Sequence, residues 1–360
     1  MRTRDFDYHL PPGRIAQQPT QDRLASRLLV LHRDTEQVEH RRFPDLLSYL
    51  HAGDLLVVNE TKVIPARLIG RKAGTGGRIE ALLLRRRAPD IWQAAVSPGR
   101  RLGVGVRVEF EGALTGEIIS RAPDGTREIK FTGQGDIAAL ISQAGEVPLP
   151  PYIHTPLTDP GRYQTIYARS EGSSAAPTAG MHFTEDLLVR IEAMGVGRAA
   201  ITLHIGMATF RPIRSEEVEA HDMPREWIEV PAATARAVNE IHAPGGLAPH
   251  APGEAGPVRR SLGEGGRVIA VGTTVARALE TCADDTGAAH AWQGDTDLYI
   301  TPGHRFRLVD ALLTNFHLPR STLLVLVCAF AGREKVLRAY QEALDRGYRF
   351  LSFGDAMLIV

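Results

Sequence analysis

GSSAAPTAGMHF (172–183) opens on small residues, Gly172 to Ala176, and closes on three large ones, Met181, His182 and Phe183. Pro177 lacks a backbone donor and fixes φ. Thr178 supplies a hydroxyl, and Gly180 permits a positive φ or a close approach of backbone. A ligand can lie against such main chain and then meet one titratable group, His182. The plainer alternative is a tight loop in which His182 is a satisfied core histidine.

The residues that follow favour a site. Thr184 is placed to cap a helix, with Glu185 and Asp186 in its first turn. Leu187, Leu188, Ile191 and Met194 form one apolar face, and Gly195 marks the stop. Ala199–Ile205 then alternates, with Ile201, Leu203 and Ile205 on one side and Thr202 and His204 on the other. His204 therefore ends a strand, where α/β sheets place ligand sites. Upstream, GDLLVV (53–58) is a buried strand entering Asn59, Glu60 and Lys62. Downstream, Arg267–Val271 is a strand, and Gly272-Thr273-Thr274 opens a helix. That turn either offers free N–H groups to an anion or is simple Thr capping. Leu308–Thr314 alternates as a strand and ends in Asn315 and His317, and Phe350–Met357 brings Ser352, Gly354 and Asp355 into a terminal strand and turn.

Between these halves the character changes. Lys62 to Arg107 holds eleven Lys/Arg against two acids, Glu80 and Asp90. Short β-like segments (79–84, 91–96, 104–110, 117–120 and 128–131) are separated by Gly/Pro turns, as in a small barrel or sandwich. Its charge fits a phosphate backbone, or equally a solvated face compensated by the acidic stretch 109–146. Pro148, Pro150 and Pro151 in GEVPLPPYI stiffen the return to α/β structure. Residues 243–266, rich in Ala, Pro and Gly, read as a flexible surface loop.

The chain has 360 residues, 43% of them hydrophobic, and a formal net charge of zero. Overall charge therefore points to no nucleic-acid or membrane partner. Two cysteines, Cys282 and Cys328, give neither a disulfide framework nor a zinc pattern and fit a reducing cytosol. The first residues contain no apolar segment of a signal peptide, and the longest apolar run, 323–331, is too short to span a bilayer. With Ser321 as its cap, that run reads as a buried helix. No Walker loop, dinucleotide fingerprint or GxSxG elbow is present. Three histidines at element ends could ligate zinc, but no short paired spacing supports this. Proton transfer suits them better.

AAPTAGMHFT followed by ITLHIGMATFRPI resembles the S-adenosylmethionine:tRNA ribosyltransferase-isomerase family of queuosine biosynthesis. The likeness continues in GDLLVVNETKVIPARLIGR (53–71), GEVPLPPYI (145–153), RYQTIYA (162–168), GRVIAVGTT (266–274), DALLTNFHLPRSTLL (310–324) and YRFLSFGDAMLI (348–359). It implies an α/β main domain with a mixed sheet, residues 1–61 and 151–360, and an inserted β-barrel, residues 62–150. It implies ribosyl transfer from S-adenosylmethionine to 7-aminomethyl-7-deazaguanine at the tRNA wobble position, releasing adenine and methionine. The cosubstrate is consumed, so no resident cofactor or metal is expected. A cytoplasmic monomer is expected.

On that resemblance His182 or His204 is expected as the base or as the acid at adenine, either order being open, with Thr178 and Gly180 lining the sugar. Asn315 and His317 contact a nucleobase, and Arg67 binds a carboxylate or phosphate. Asp355 orients a neighbour or receives the amine. Asn59, Gly272 and Thr273 complete the substrate-binding set. The chain departs from the family pattern at Met181, Ala208, Val275 and Pro224-Arg225. Val275 makes a hydroxyl contact there unexpected. Two other readings compete: a non-catalytic RNA-binding protein using the basic module, and a methyltransferase, which would be expected to carry a glycine loop missing here.

Overall fold

The computed structural model describes residues 1–210, 212–243 and 266–360. The expected surface loop lies outside the described residues from 244 to 265. In chain order the elements are β1 (Arg27–Leu31), β2 (Val38–Arg42), β3 (Leu55–Asn59), β4 (Thr61–Val63), β5 (Arg67–Lys72), β6 (Arg78–Ala88), β7 (Ile91–Ser97) and β8 (Arg107–Phe110). Then come β9 (Thr115–Arg121), β10 (Arg127–Thr132), α1 (Ile137–Ala144), β11 (Gly145–Glu146), β12 (Ser170–Ser173), α2 (Glu185–Ala193), β13 (Gly197–Leu203) and β14 (Glu226–Val230). The last are α3 (Ala232–His242), β15 (Val268–Val271), α4 (Thr273–Cys282), β16 (Trp292–Thr296), β17 (Ala311–Asn315), α5 (Thr322–Ala331), α6 (Arg333–Asp345) and β18 (Ala356–Ile359).

The apolar runs of β3, β15 and β17 are buried at every residue, as strands covered on both faces must be. They lie at the centre of a nine-stranded mixed sheet, ordered β16-β14-β13-β3-β15-β17-β18-β1-β2. Neighbours β13, β3, β15 and β17 run parallel, and β18 turns antiparallel against β17. Alternate residues face opposite layers. Leu29, Leu55 and Val57 pack with α3, α4, α5 and α6, whereas Leu28, Leu56 and Val58 pack with α2 and the turn at Phe43–Leu46. Thr184 caps α2 by accepting from Leu187 N, and Leu187, Leu188 and Ile191 are buried. Met194 is not part of that face. It stands past the last turn, 37% exposed, where Gly195 (φ +79°) reverses the chain. Ser321 caps α5 by accepting from Leu324 N at 3.2 Å.

The mixed sheet and the barrel both appear as expected. Strands β5-β6-β7-β10-β9-β8 form an antiparallel sheet that closes through β5–β8, with β11 added beside β5. Inward residues alternate along the strands: Ile79, Ala81 and Leu83 meet Trp92, Ala94, Ile118 and Ile129. The third expected strand starts late, since Val104 lies in a turn and β8 begins at Arg107. The chain leaves the sheet through β4 and returns through β12, which pair side by side and parallel. Ser174 ties the return to the barrel by donating to the Leu83 carbonyl (2.8 Å). Gly180 is required for close approach rather than for a positive φ: a Cβ there would fall 2.0 Å from Tyr167 Oη.

Candidate active site

Two cavities flank the segment 204–209. One is an open cleft of about 1490 Å³ between the barrel and the β13–β14 end of the sheet. The other is a slot of about 50 Å³ at the ends of β15 and β17. Small-molecule sites usually need roughly 300–1,000 Å³, and one water takes about 30 Å³. Of these two, the cleft is the one with room for a nucleoside and an RNA base.

His204 lies on the cleft wall. Its Nδ1 is 2.8 Å from Thr61 Oγ1, and its ring stacks on Trp227 with centroids 5.1 Å apart. The Thr61 hydroxyl also reaches the Ser170 carbonyl (3.5 Å), and in the tautomer that donates Nδ1–H to Thr61, Nε2 presents its lone pair. Gly172 (φ +141°) leaves that nitrogen open, because a Cβ there would stand 2.7 Å from Nε2. Burial, and secondarily the Arg85 charge, lower the His204 pKa to about 4, so the imidazole is neutral near pH 7. It can therefore accept a proton. Gly172→Ala is expected to cut turnover by tenfold or more by covering Nε2 while the protein stays folded, which steady-state rates and circular dichroism would check.

His182 and His317 stand elsewhere. His317 lines the slot, with Nε2 2.8 Å from Thr314 Oγ1. Asn315 joins the slot to His182. Thr178 donates to Asn315 Oδ1 (2.9 Å), and Asn315 Nδ2 lies 3.4 Å from His182 Nε2. Nδ1–H of His182 is then left to donate to Ser26 Oγ (3.0 Å). His182 lines neither cavity; Phe43 covers its ring at 4.9 Å. Burial lowers both pKa values to about 3, and for His182 the Arg23 and Arg349 charges add to this.

A depressed pKa means that the unfolded chain takes up protons more readily. The stability these two groups contribute is therefore complete above pH 6.5 and is lost as pH falls toward 3. Unfolding free energy should drop by about 2–3 kcal/mol between pH 7 and 5.5 on their account. Urea melts at the two pH values, repeated on His317→Gln, would show a smaller drop in the variant.

The other expected residues divide by their partners. Gly272 caps α4 with φ +100° and no side-chain cap bond, so Thr273 and Thr274 are not capping residues; both line the slot. Asn59 is wholly buried and spends its amide on Leu203 O, Leu203 N and Thr61 N, holding β3 to β13. Asp355 accepts from Arg27 N and Arg349 N, each at 2.8 Å, and burial raises its pKa. Arg67 pairs with Glu80 through two 3.0 Å bonds on the barrel. None of these three lines the cleft. Among the described residues no three His, Cys, Asp or Glu side chains converge on a metal position.

Four contributors were not singled out from the sequence. Thr61 sits in the quoted NETK run, and Trp227 alternates along EWIEV, but neither has a local mark of its role. Glu226 accepts from Gly206 N and Thr209 Oγ1, both at 2.8 Å, and from the Arg277 guanidinium of α4. This buried pair braces the wall between cleft and slot.

A parallel-centred mixed sheet facing a closed barrel across one histidine-bearing cleft is the architecture of a two-module enzyme. The profile of the family described as "Queuosine biosynthesis protein" matches residues 3–248 and 252–359, and the chain belongs to that family. It is 53% identical to a Moorella thermoacetica protein over all of both chains, and 48% identical to one from Desulfitobacterium hafniense, likewise over all of both. Both are named S-adenosylmethionine:tRNA ribosyltransferase-isomerase. The crystal structure of a Thermotoga maritima S-adenosylmethionine tRNA ribosyltransferase is 40% identical, covering 99% of this chain and 100% of that one, with a TM-score of 0.55.

Proposed function

We propose that this chain transfers and isomerises the ribosyl group of S-adenosylmethionine onto 7-aminomethyl-7-deazaguanine at the wobble position of tRNA, giving epoxyqueuosine. The observation that carries the reading is the neutral His204, its Nε2 open, on the wall of a cleft large enough for both substrates. The names of the full-length relatives support the same cosubstrate and RNA.

The chemistry follows from the cosubstrate. A sulfonium acidifies the adjacent C5′ hydrogens, and His204 Nε2 removes one. The C5′ electrons expel the ring oxygen from C4′, and adenine leaves C1′ with a proton on its ring nitrogen, giving a vinyl sulfonium and a C1′ aldehyde. The aminomethyl nitrogen, losing a proton, adds to C4′, and the regenerated C5′ carbanion closes onto C1′. The resulting oxyanion displaces methionine from C5′ to form the epoxide. General base catalysis of this kind contributes about 10²–10⁴-fold. Asp222 gives the cleft a negative group to face the sulfonium, while Arg86 and Arg87 face phosphate. In this reading the protein works as a cytoplasmic monomer. Cys282 and Cys328 are free and buried, and among the described residues no helix is long and apolar enough to cross a membrane.

The test is incubation with S-adenosylmethionine and tRNA carrying the aminomethyl-deazaguanine, with chromatography for adenine and methionine and a control lacking RNA. RNA-dependent release of both is expected. S-adenosylhomocysteine instead would mean methyl transfer. No release from folded protein that still binds the RNA would leave a binding protein.

A further inference from the structure

The charge of the barrel is not cancelled by the barrel. Of the eleven cations between Lys62 and Arg107, four are paired: Lys62 with Glu171, Arg67 with Glu80, Arg85 with Asp295 and Arg107 with Glu117. Of these partners only Glu117 comes from the acidic stretch 109–146. The other seven have no carboxylate within ion-pairing reach among the described residues. Arg86 and Arg87 are two of them, at the cleft. The remaining five gather at the opposite end of β5, β6 and β7.

Arg71 and Arg78 are direct cross-strand partners where β5 meets β6. Lys72, the next residue, donates from Nζ to the Arg101 carbonyl (3.4 Å), which brings in the turn Gly99–Arg101 that follows β7. Arg71, Arg78, Arg100 and Arg101 are exposed and Lys72 is half-buried. The facing acid is Glu109, opposite Arg71 on β8 but unpaired with it. Like charges set opposite one another in a ladder are destabilising unless an anion lies over them.

We infer that Arg71, Lys72, Arg78, Arg100 and Arg101 form a second RNA contact surface that holds phosphates remote from the reacting base. Arg78 and Arg86 are eight residues apart on β6, about 26 Å at ~3.3 Å per residue. One small anion cannot touch both ends; a polyanion along the barrel can. The inference rests on the proposed function for the choice of RNA as that polyanion.

The test is the triple variant Arg78→Ala, Arg100→Ala, Arg101→Ala, assayed for adenine release and, separately, for RNA binding across a salt series. Each lost phosphate contact should lower the slope of log affinity against log salt by about 0.7–0.9, so the slope should fall by about 2–3. KM for RNA should rise tenfold or more near 150 mM salt (an order-of-magnitude expectation from counterion release), with turnover at saturating RNA retained. An unchanged slope and KM in the folded variant would overturn the surface. So would binding of anionic phospholipid vesicles that the variant loses while its RNA slope stays unchanged. If the wild type released no adenine, the proposed function would fail, yet the slope measurement would still decide whether this patch holds RNA.

Discussion

His204→Gln is expected to lower single-turnover adenine release by about 10²–10⁴-fold, the range for loss of a positioned base. Glutamine keeps much of the ring's volume and its bond toward Thr61, but it cannot accept the C5′ proton. Binding of RNA and cosubstrate should change little, because the Thr61 and Trp227 supports remain. The variant should show no dependence of rate on the pKa near 4 that burial gives His204. His317→Gln should differ from wild type by only a few-fold, since the slot that His317 lines is too small for a nucleoside. A His204→Gln enzyme with near-normal turnover would remove this residue from the chemistry.

The second large effect is on stability. Arg277→Ala should cost about 3–5 kcal/mol, because it leaves the Glu226 carboxylate buried without its cation. The side chains of the pair are only 5% and 3% exposed, so water cannot replace the lost partner. Glu226 would retain Gly206 N and Thr209 Oγ1, which hold one oxygen only. Removing both charges, as Arg277→Met with Glu226→Leu, should recover part of the loss, since an apolar pair needs no counter-charge. Urea denaturation measures both variants. A cost below about 1 kcal/mol for Arg277→Ala would mean that water or a neighbour already shares the charge.

Local pattern made much of the fold readable. The apolar runs of β3 and β15 were legible as strands and the segment 79–84 as a strand of a small barrel, whereas Leu308–Thr314 read as alternating although β17 begins at Ala311 and is buried at every residue. The position of His204 was readable too, because the alternation of β13 ends on it. Its separation from His182 and His317 was not. Which strand ends face the barrel depends on the order β13-β3-β15-β17 and on the side-by-side pairing of β4 with β12, neither of which leaves a local mark. Asn59 and Asp355 are polar residues at strand ends, as site residues often are, but both are consumed by backbone partners. The Glu226–Arg277 brace joins residues 51 apart on a strand and a helix, beyond the reach of any spacing rule.

The most direct test of the cleft as the reaction site is a structure of the protein with an unreactive analogue of S-adenosylmethionine and a stem-loop RNA carrying the aminomethyl base. The ribosyl C5′ is expected within about 3.5 Å of His204 Nε2, the reach of a general base, with the base between barrel and sheet and phosphates along Arg86 and Arg87. A ribosyl group seated instead beside Thr273 and His317, in an opened slot, would contradict it.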